Sequence, residues 1–461
     1  MAPAAYAGAA APVPAPDKES RARPDRPQRA MTGGGREVFA GQPGAPGVAL
    51  GRAHHPVRPP DPDAAELPGP LIVMATEVTA DDLLMAPGDV AGAASAVGGA
   101  TGHAATVARA LGVPMVFGLP AEALDVPEGA EVLLDGATGR LTVAPGMLDR
   151  AEARDAIQRA RLRRGVLAEA RTLPTVTVDG HPVDLLANVG SAADAGAAVV
   201  TAAEGVGLVR TELPFLSAAR WPSVAEHLAN LVPVLRPLAG LPVTVRTLDF
   251  ADDKLPPFLA TGLAGRLGRG LPLMLAAPAA FSDQFEAILR AADETDIRLS
   301  LMIPMVADVS ELRACRKVLD AAAATVGVPV PPLGAMIELP EAVEGVEEIA
   351  AEADFLSLGT NDLTAALLGV DRRDPALTPR RTGDPVVLGA IAHVCAAGRA
   401  ADIPVTVCGD AAADPWVAPL LIGAGCTALS VTPAVLDEVR ALIRGLDFAD
   451  ALHRADRVLD A

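Results

Sequence analysis

From about Leu173 to the end of the chain, short runs of apolar and β-branched residues alternate with longer helical stretches, and this alternation constrains the fold more than any other feature. Eight such runs stand in order: Val183–Ala187, Gly205–Val209, Val243–Val245, Leu299–Ile303, Leu333–Ile337, Phe355–Leu358, Val405–Val407 and Ala428–Val431. Strands separated by helices pair parallel through crossovers, and eight of them fit a closed (β/α)8 TIM barrel. In such a barrel the strand C-termini meet at one mouth. Arg210, Arg246, Glu338, Asn361 with Asp362, and Cys408 all stand at or just past the ends of these runs. A single charge after a strand reads as a solvated loop residue; five strand ends bearing chemistry read as a site.

A second candidate centre lies upstream, in GGATGHAATVARALGVPMVFGL at 98–119. His103 sits on a glycine-rich turn directly ahead of a short helix, in which Ala104, Val107, Ala108 and Leu111 recur at helical spacing. Gly112 and Pro114 stop the helix, and Met115 to Phe117 read as a buried strand. An imidazole placed there faces unpaired backbone N–H groups and the positive end of the helix dipole, a setting that stabilises a phosphoryl group carried on the ring. Around it, a strand after the turn at Pro43, the apolar run Leu71–Met74 and a strand pair between Glu131 and Val143 make an α/β domain over 37–146. His54 and His55 read as solvated loop residues of that domain.

The 461 residues accommodate two or three domains. Residues 1–36 are Ala, Pro and Arg with almost no large apolar side chains, so they are expected to be disordered. Residues 147–172 turn to Ala, Arg, Glu and Leu and predict an exposed connecting helix before the barrel at 173–461. With 38 basic against 57 acidic residues, a formal charge of −19 repels nucleic acid and anionic membrane. No run approaches the roughly 18 apolar residues of a membrane span. Four scattered cysteines without a CxxC point to a reducing compartment, the cytoplasm.

The strand-end residues suit a multiply charged anion bridged by a divalent cation. Arg210 and Arg246 grip phosphate or carboxylate through forked N–H donors. Glu338 and Asp362 offer hard oxygens that suit Mg2+, which takes its remaining ligands from water and substrate. Phosphoryl transfer asks little more of a protein than positioning and charge neutralisation. Cys408, at the strand terminus VTVCGD, is a thiol able to hold a proton at neutral pH and yield it to an enolate; Cys315, Cys395 and Cys426 read as core cysteines.

Seven segments in order, GGATGHAATVARALGVPMVFGL, EGVGLVRTELPFL, VTVRTLDFADDKLPP, LSLMIPMVADVSELR, LGAMIELPEA, DFLSLGTNDLTAALLGVDRRDP and VTVCGDAAADP, resemble enzyme I of the sugar phosphotransferase system, a phosphoenolpyruvate-protein phosphotransferase. The resemblance implies a swivelling phosphohistidine domain followed by a phosphoenolpyruvate-binding barrel. It implies that His103 takes phosphate from phosphoenolpyruvate and that Cys408 protonates the pyruvate enolate. It further implies that Arg210, Arg246 and Arg372 hold the ligand, that Asn361 contacts its phosphate, and that Glu338 and Asp362 bind Mg2+. An acceptor phosphocarrier protein and a homodimer through the barrel are expected on the same ground. The chain departs from the family at Gly102, Ala251-Asp252, Asp410 and the GLAGRLGRG stretch with Arg269. It also has only a Pro-rich stretch between His54 and Leu71, where enzyme I carries the helical insertion that docks its phosphocarrier. A non-catalytic or autophosphorylating regulatory sensor that binds phosphoenolpyruvate is the alternative; a pure sensor has no evident need for a proton donor at Cys408.

Overall fold

The computed structural model describes residues 30–32, 36–56, 69–84, 86–99, 103–250, 256–260, 271–372, 374 and 377–460. Contacts divide the chain broadly into two compact units, the first ending at Ile157 and the second running from Gln158.

The first unit is built on a nine-stranded mixed sheet. In chain order its strands are β1 (Ala30–Thr32), β2 (Arg36–Ala40), β3 (Gln42–Ala45), β4 (Val48–His54), β5 (Leu71–Glu77), β6 (Val90–Val97), β7 (Met115–Phe117), β8 (Glu131–Asp135) and β9 (Arg140–Val143). Their spatial order is β1-β2-β9-β8-β4-β5-β6-β7-β3. The central run β4, β5, β6 and β7 is parallel and the flanks are antiparallel. Alternation along β5 explains why the sheet is covered on both faces: Ile72 and Met74 enter one core with Val116, Leu134 and Leu141, and Val73 enters another with Leu83, Ala108 and Met115. The helix His103–Ala110 supplies Ala105 and Ala108 to this second core, and Gly112 follows it with φ of +65°, a left-handed conformation that glycine adopts without steric cost.

Two readings of this region are corrected. Ala30–Thr32, inside the stretch expected to lack structure, pair antiparallel with β2; residues 1–29 lie outside the described residues. His54 and His55 are tethered instead of solvated. His54 Nδ1 lies 2.9 Å from Glu128 Oε1, while the His55 ring nitrogens face the carbonyls of Met74 and Val126 at 3.1 and 2.7 Å. Both polar rings find partners because β5 supplies one carbonyl and the loop before β8 supplies another together with the Glu128 carboxylate. The helix Met147–Glu169 follows; its middle is exposed on every side, as a polar arm predicts.

The second unit is the expected barrel, closed in sequence order by β10 (Asp184–Val189), β11 (Val206–Val209), β12 (Pro242–Arg246), β13 (Arg298–Ile303), β14 (Leu333–Ile337), β15 (Leu356–Leu358), β16 (Val405–Val407) and β17 (Ala428–Val431). Every neighbouring pair is parallel, and β17 returns to β10 through Asp184↔Ala428 to Ala187↔Val431. Strands buried on both faces read as continuous apolar runs, and β11, β14, β15 and β17 are buried at every residue. Local chemistry sets the helix ends. Ser223 and Glu226 form a reciprocal capping box on Val224–Leu235, and Asp308 caps Val309–Val326, which Gly327 ends at φ of +82°.

One buried group in this shell makes stability sensitive to acid. His227, on Val224–Leu235, is 1% exposed, lies edge-on to Phe215 at 4.9 Å, and neither ring nitrogen has a hydrogen-bond partner among the described residues. Burial pushes its pKa down from 6.5 to about 4. The unfolded chain therefore binds the proton more readily, so the stabilisation from a neutral His227 is present above pH 6.5 and is lost as the pH falls toward 4. Its full size is on the order of 3 kcal/mol. His227→Leu should flatten the fall in thermal midpoint between pH 7 and pH 5; a variant that tracks the parent chain would assign that acid sensitivity elsewhere.

Candidate active site

The C-terminal ends of β11, β12, β14, β15 and β16 bring the strand-end residues to one mouth. Arg210 follows β11, its N–H bonded to the Val189 carbonyl at 2.9 Å. Arg246 closes β12 and is 7% exposed, with Nη2 2.9 Å from Glu212 and Nη1 2.8 Å from Asp249. Burial works against its charge, yet Asp249, Glu212 and Glu338 together raise its pKa. Glu338, 2% exposed after β14, accepts the Met305 N–H at 2.8 Å. Burial and the neighbouring carboxylates Asp249 and Asp362 push its pKa up to about 8, against the pull of Arg246. Gly359 leaves this carboxylate its space: a Cβ there would lie 2.7 Å from Glu338 Oε2.

Asn361 and Asp362 occupy the first turn of the helix Thr360–Leu368 after β15. Arg372 Nη1 donates to Asp362 Oδ1 at 2.9 Å. The Asn361 amide is fixed by a two-point bond, Nδ2 donating to Asp410 Oδ2 and Oδ1 accepting the Asp410 N–H, both at 3.1 Å. Gly409 permits this approach, because a Cβ on it would fall 1.9 Å from Thr360 Oγ1. The aspartate at 410 thus latches the loop after β16 to the loop after β15.

Cys408 lies between these loops, 5% exposed, among Leu208, Met302 and Met336. Its carbonyl accepts from Asn188 Nδ2 at 3.1 Å, the Ser357 hydroxyl donates to Sγ at 3.4 Å, and Sγ donates to the Leu358 carbonyl at 3.5 Å. Burial raises the thiol pKa, with the Ser357 hydroxyl and Arg246 opposing. A thiol so held keeps its proton at neutral pH. Cys315, Cys395 and Cys426 are buried in the barrel's apolar core.

His103 belongs to the first unit and opens the helix His103–Ala110. The departures at Gly102, Ala251-Asp252 and the GLAGRLGRG stretch with Arg269 lie outside the described residues. Sequence reasoning passed over Glu212, Asp249, Ser357 and Asn188. The first two stand two and three residues beyond Arg210 and Arg246, so the strand-end rule that selected the arginines applies to them as well.

Three guanidiniums (Arg210, Arg246, Arg372) thus share the mouth with five carboxyl groups (Glu212, Asp249, Glu338, Asp362, Asp410) among the described residues, of which Glu338 is held toward its protonated form by burial and its acidic neighbours. Carboxyl groups this close to the arginines oppose the binding of a polyanion, and a divalent cation held by Glu338 and Asp362 would offset that charge. No three His, Cys, Asp or Glu side chains converge as a metal cage among the described residues. Two carboxylates fit Mg2+, which takes one or two from the protein and the rest from substrate and water.

A barrel with this mouth, preceded by a histidine-bearing α/β unit, defines a class. Residues 165–448 match the family described as "PEP-utilising enzyme, PEP-binding domain" and residues 67–139 match "PEP-utilising enzyme, mobile domain". The chain belongs to the phosphoenolpyruvate-utilising enzymes, in the branch of enzyme I that its motifs resemble. It is 39% identical over 402 residues to a phosphoenolpyruvate-protein phosphotransferase of Streptomyces coelicolor, covering 86% of this chain and 70% of that one. A phosphoenolpyruvate-protein phosphotransferase of Haloferax volcanii is 36% identical, with 87% and 71% covered. A multiphosphoryl transfer protein of Rhodobacter capsulatus is 38% identical over 85% of this chain, which spans 48% of that protein's length.

Proposed function

We propose that the chain transfers the phosphoryl group of phosphoenolpyruvate to His103 and on to an acceptor protein, with Mg2+ bound, releasing pyruvate. The observation that carries this reading is the convergence on one barrel mouth of three arginines, two metal-competent carboxylates and a protonated thiol. Arg210, Arg246 and Arg372 take the phosphate and carboxylate oxygens through forked donors, and Asn361, its amide fixed by Asp410, contacts the phosphate. Glu338 and Asp362 would hold Mg2+, which neutralises charge on the phosphoryl and enolate oxygens when bound. The His103 imidazole attacks phosphorus in line: the N–P bond forms, the bond from phosphorus to the enol oxygen breaks, and the electron pair leaves on that oxygen. The enolate carbon then takes the proton of Cys408 Sγ, and solvent reprotonates the thiolate.

In this reading the first unit is the swivelling phosphohistidine domain (37–146), 147–172 the connecting arm and 173–461 the phosphoenolpyruvate-binding barrel. The relatives' names support phosphoenolpyruvate as donor and a protein as acceptor. Homodimerisation through the barrel and a place in the cytoplasm belong to the same proposal; no helix among the described residues is long and apolar enough to cross a membrane.

Incubation of the purified chain with labelled phosphoenolpyruvate and Mg2+ tests it. Acid-labile label located by mass spectrometry on the peptide bearing His103, with equimolar pyruvate and suppression by a chelator, is the expected result. Tight binding of phosphoenolpyruvate with neither label nor pyruvate would replace transfer by the sensor reading.

A further inference from the structure

Glu212 is fully buried, yet only Oε1 has a partner: it accepts from Arg246 Nη2 at 2.9 Å, while Oε2 bonds to nothing among the described residues. Arg246 Nε is likewise buried without an acceptor among the described residues. An ion pair kept only for stability gains little from burial, and an apolar pair of similar volume serves a core equally well. Each orphaned buried polar atom destabilises the fold, and native structures keep such atoms where they serve a purpose.

The same loop holds the backbone of Arg246. The Thr211 hydroxyl donates to the Arg246 carbonyl at 2.9 Å. Gln284, fully buried on the helix Pro278–Thr295, donates to Thr211 Oγ1 at 3.2 Å and accepts the Leu248 N–H at 3.1 Å. The turn after β11 therefore grips the end of β12 twice, by main chain and by guanidinium. With Asp249 on Nη1, which also lies 3.8 Å from the Met336 sulfur, carboxylates fix the fork at two of its five N–H donors, and no further carboxylate among the described residues engages the others.

We infer that Glu212 is the positioning residue for Arg246: it immobilises the guanidinium in its ligand-gripping orientation before the substrate arrives. An arginine free in solvent gives up rotamer entropy when a ligand orders it. In this barrel that ordering accompanies folding, so it is not charged against binding. Glu212 touches no substrate in this account and acts through Arg246 alone. The inference rests on the proposal that Arg246 holds phosphoenolpyruvate.

The test is a double-variant cycle on phosphoenolpyruvate affinity in saturating Mg2+, measured by calorimetry on the full chain, with kcat and KM alongside. Glu212→Gln keeps an acceptor for Nη2 and removes the charge. It is expected to weaken binding about tenfold through the loss of a charge-assisted bond, raising KM by the same factor with kcat within about threefold. Arg246→Met alone should weaken binding more, and Glu212→Gln added to Arg246→Met should have no further effect. The two neutral side chains are close in volume to those they replace, so the double variant keeps the fold measurable where Glu212→Ala collapses. Glu212→Gln binding like the parent chain overturns the inference. So does equal weakening with and without Arg246, which would mean that Glu212 acts by another route. If Arg246→Met itself binds normally, Arg246 does not grip the ligand, and the failure lies with the proposed function.

Discussion

Replacing Cys408 by alanine is expected to cut pyruvate formation from phosphoenolpyruvate by a factor of about 10²–10⁴, the usual contribution of a positioned general acid. Affinity for phosphoenolpyruvate with Mg2+ should stay within about threefold, because the thiol offers a proton to carbon and no charge to the ligand. The setting of the sulfur supports both halves of this expectation. Burial holds the thiol protonated, Ser357 and Leu358 fix its direction, and Asn188 anchors its carbonyl. Alanine removes one sulfur from a site with Leu208, Met302 and Met336 around it, a loss of about 1 kcal/mol in packing that leaves the barrel folded. Cys408→Ser keeps the volume and the bond to Ser357, but a hydroxyl is too weak an acid to protonate an enolate well, so it should fall with the alanine variant. Pyruvate production followed through a coupled dehydrogenase, set beside calorimetric binding, separates the two quantities. Normal turnover by Cys408→Ala would remove the thiol from the chemistry.

The barrel was readable because its strands are short, apolar and buried on both faces, so burial period and sequence period coincide. The run Leu333–Ile337 has the same bounds in sequence and structure, and Val405–Val407 and Ala428–Val431 likewise. Strand-end logic then located Arg210, Arg246, Glu338, Asn361, Asp362 and Cys408 without coordinates, and all lie at one mouth. It overlooked Glu212 and Asp249 for a physical reason. An acidic residue in a loop is ordinarily solvated, and what makes these two different is a guanidinium brought from a neighbouring strand or folded back over three residues, contacts no local pattern encodes. Ser357 and Asn188 escaped notice similarly: a hydroxyl or amide inside an apolar run reads as a tolerated polar residue until a partner some 50 or 220 positions away is seen, as Cys408 is for each. His54 and His55 show the converse, polar side chains in a Pro-rich neighbourhood that satisfy themselves against Glu128 and the carbonyls of Met74 and Val126. Phosphoryl acceptance at His103 was inferred from its place ahead of a helix, and the backbone bears out that helix from His103 onward.

His103→Ala is expected to abolish acid-labile labelling and pyruvate release together while leaving the barrel's own proton chemistry intact. The mouth side chains named above come from the unit that runs from Gln158, and His103 from the unit that ends at Ile157, so removing the imidazole replaces none of the named groups that bind the ligand or hold the proton. In heavy water with Mg2+ and pyruvate, the variant should still exchange the methyl hydrogens of pyruvate, because forming the enolate and returning a proton needs only the metal-competent carboxylates, the arginines and the Cys408 thiolate. Adding Cys408→Ala should then stop that exchange. The methyl resonance of pyruvate reports the exchange directly, and its decay is independent of any phosphoryl acceptor. Residual label on His103→Ala would move the phosphorylated residue elsewhere. Exchange that vanishes with His103 alone would mean that the imidazole, and not the thiol, carries the proton, and the division of labour between the two units would have to be redrawn around a single histidine.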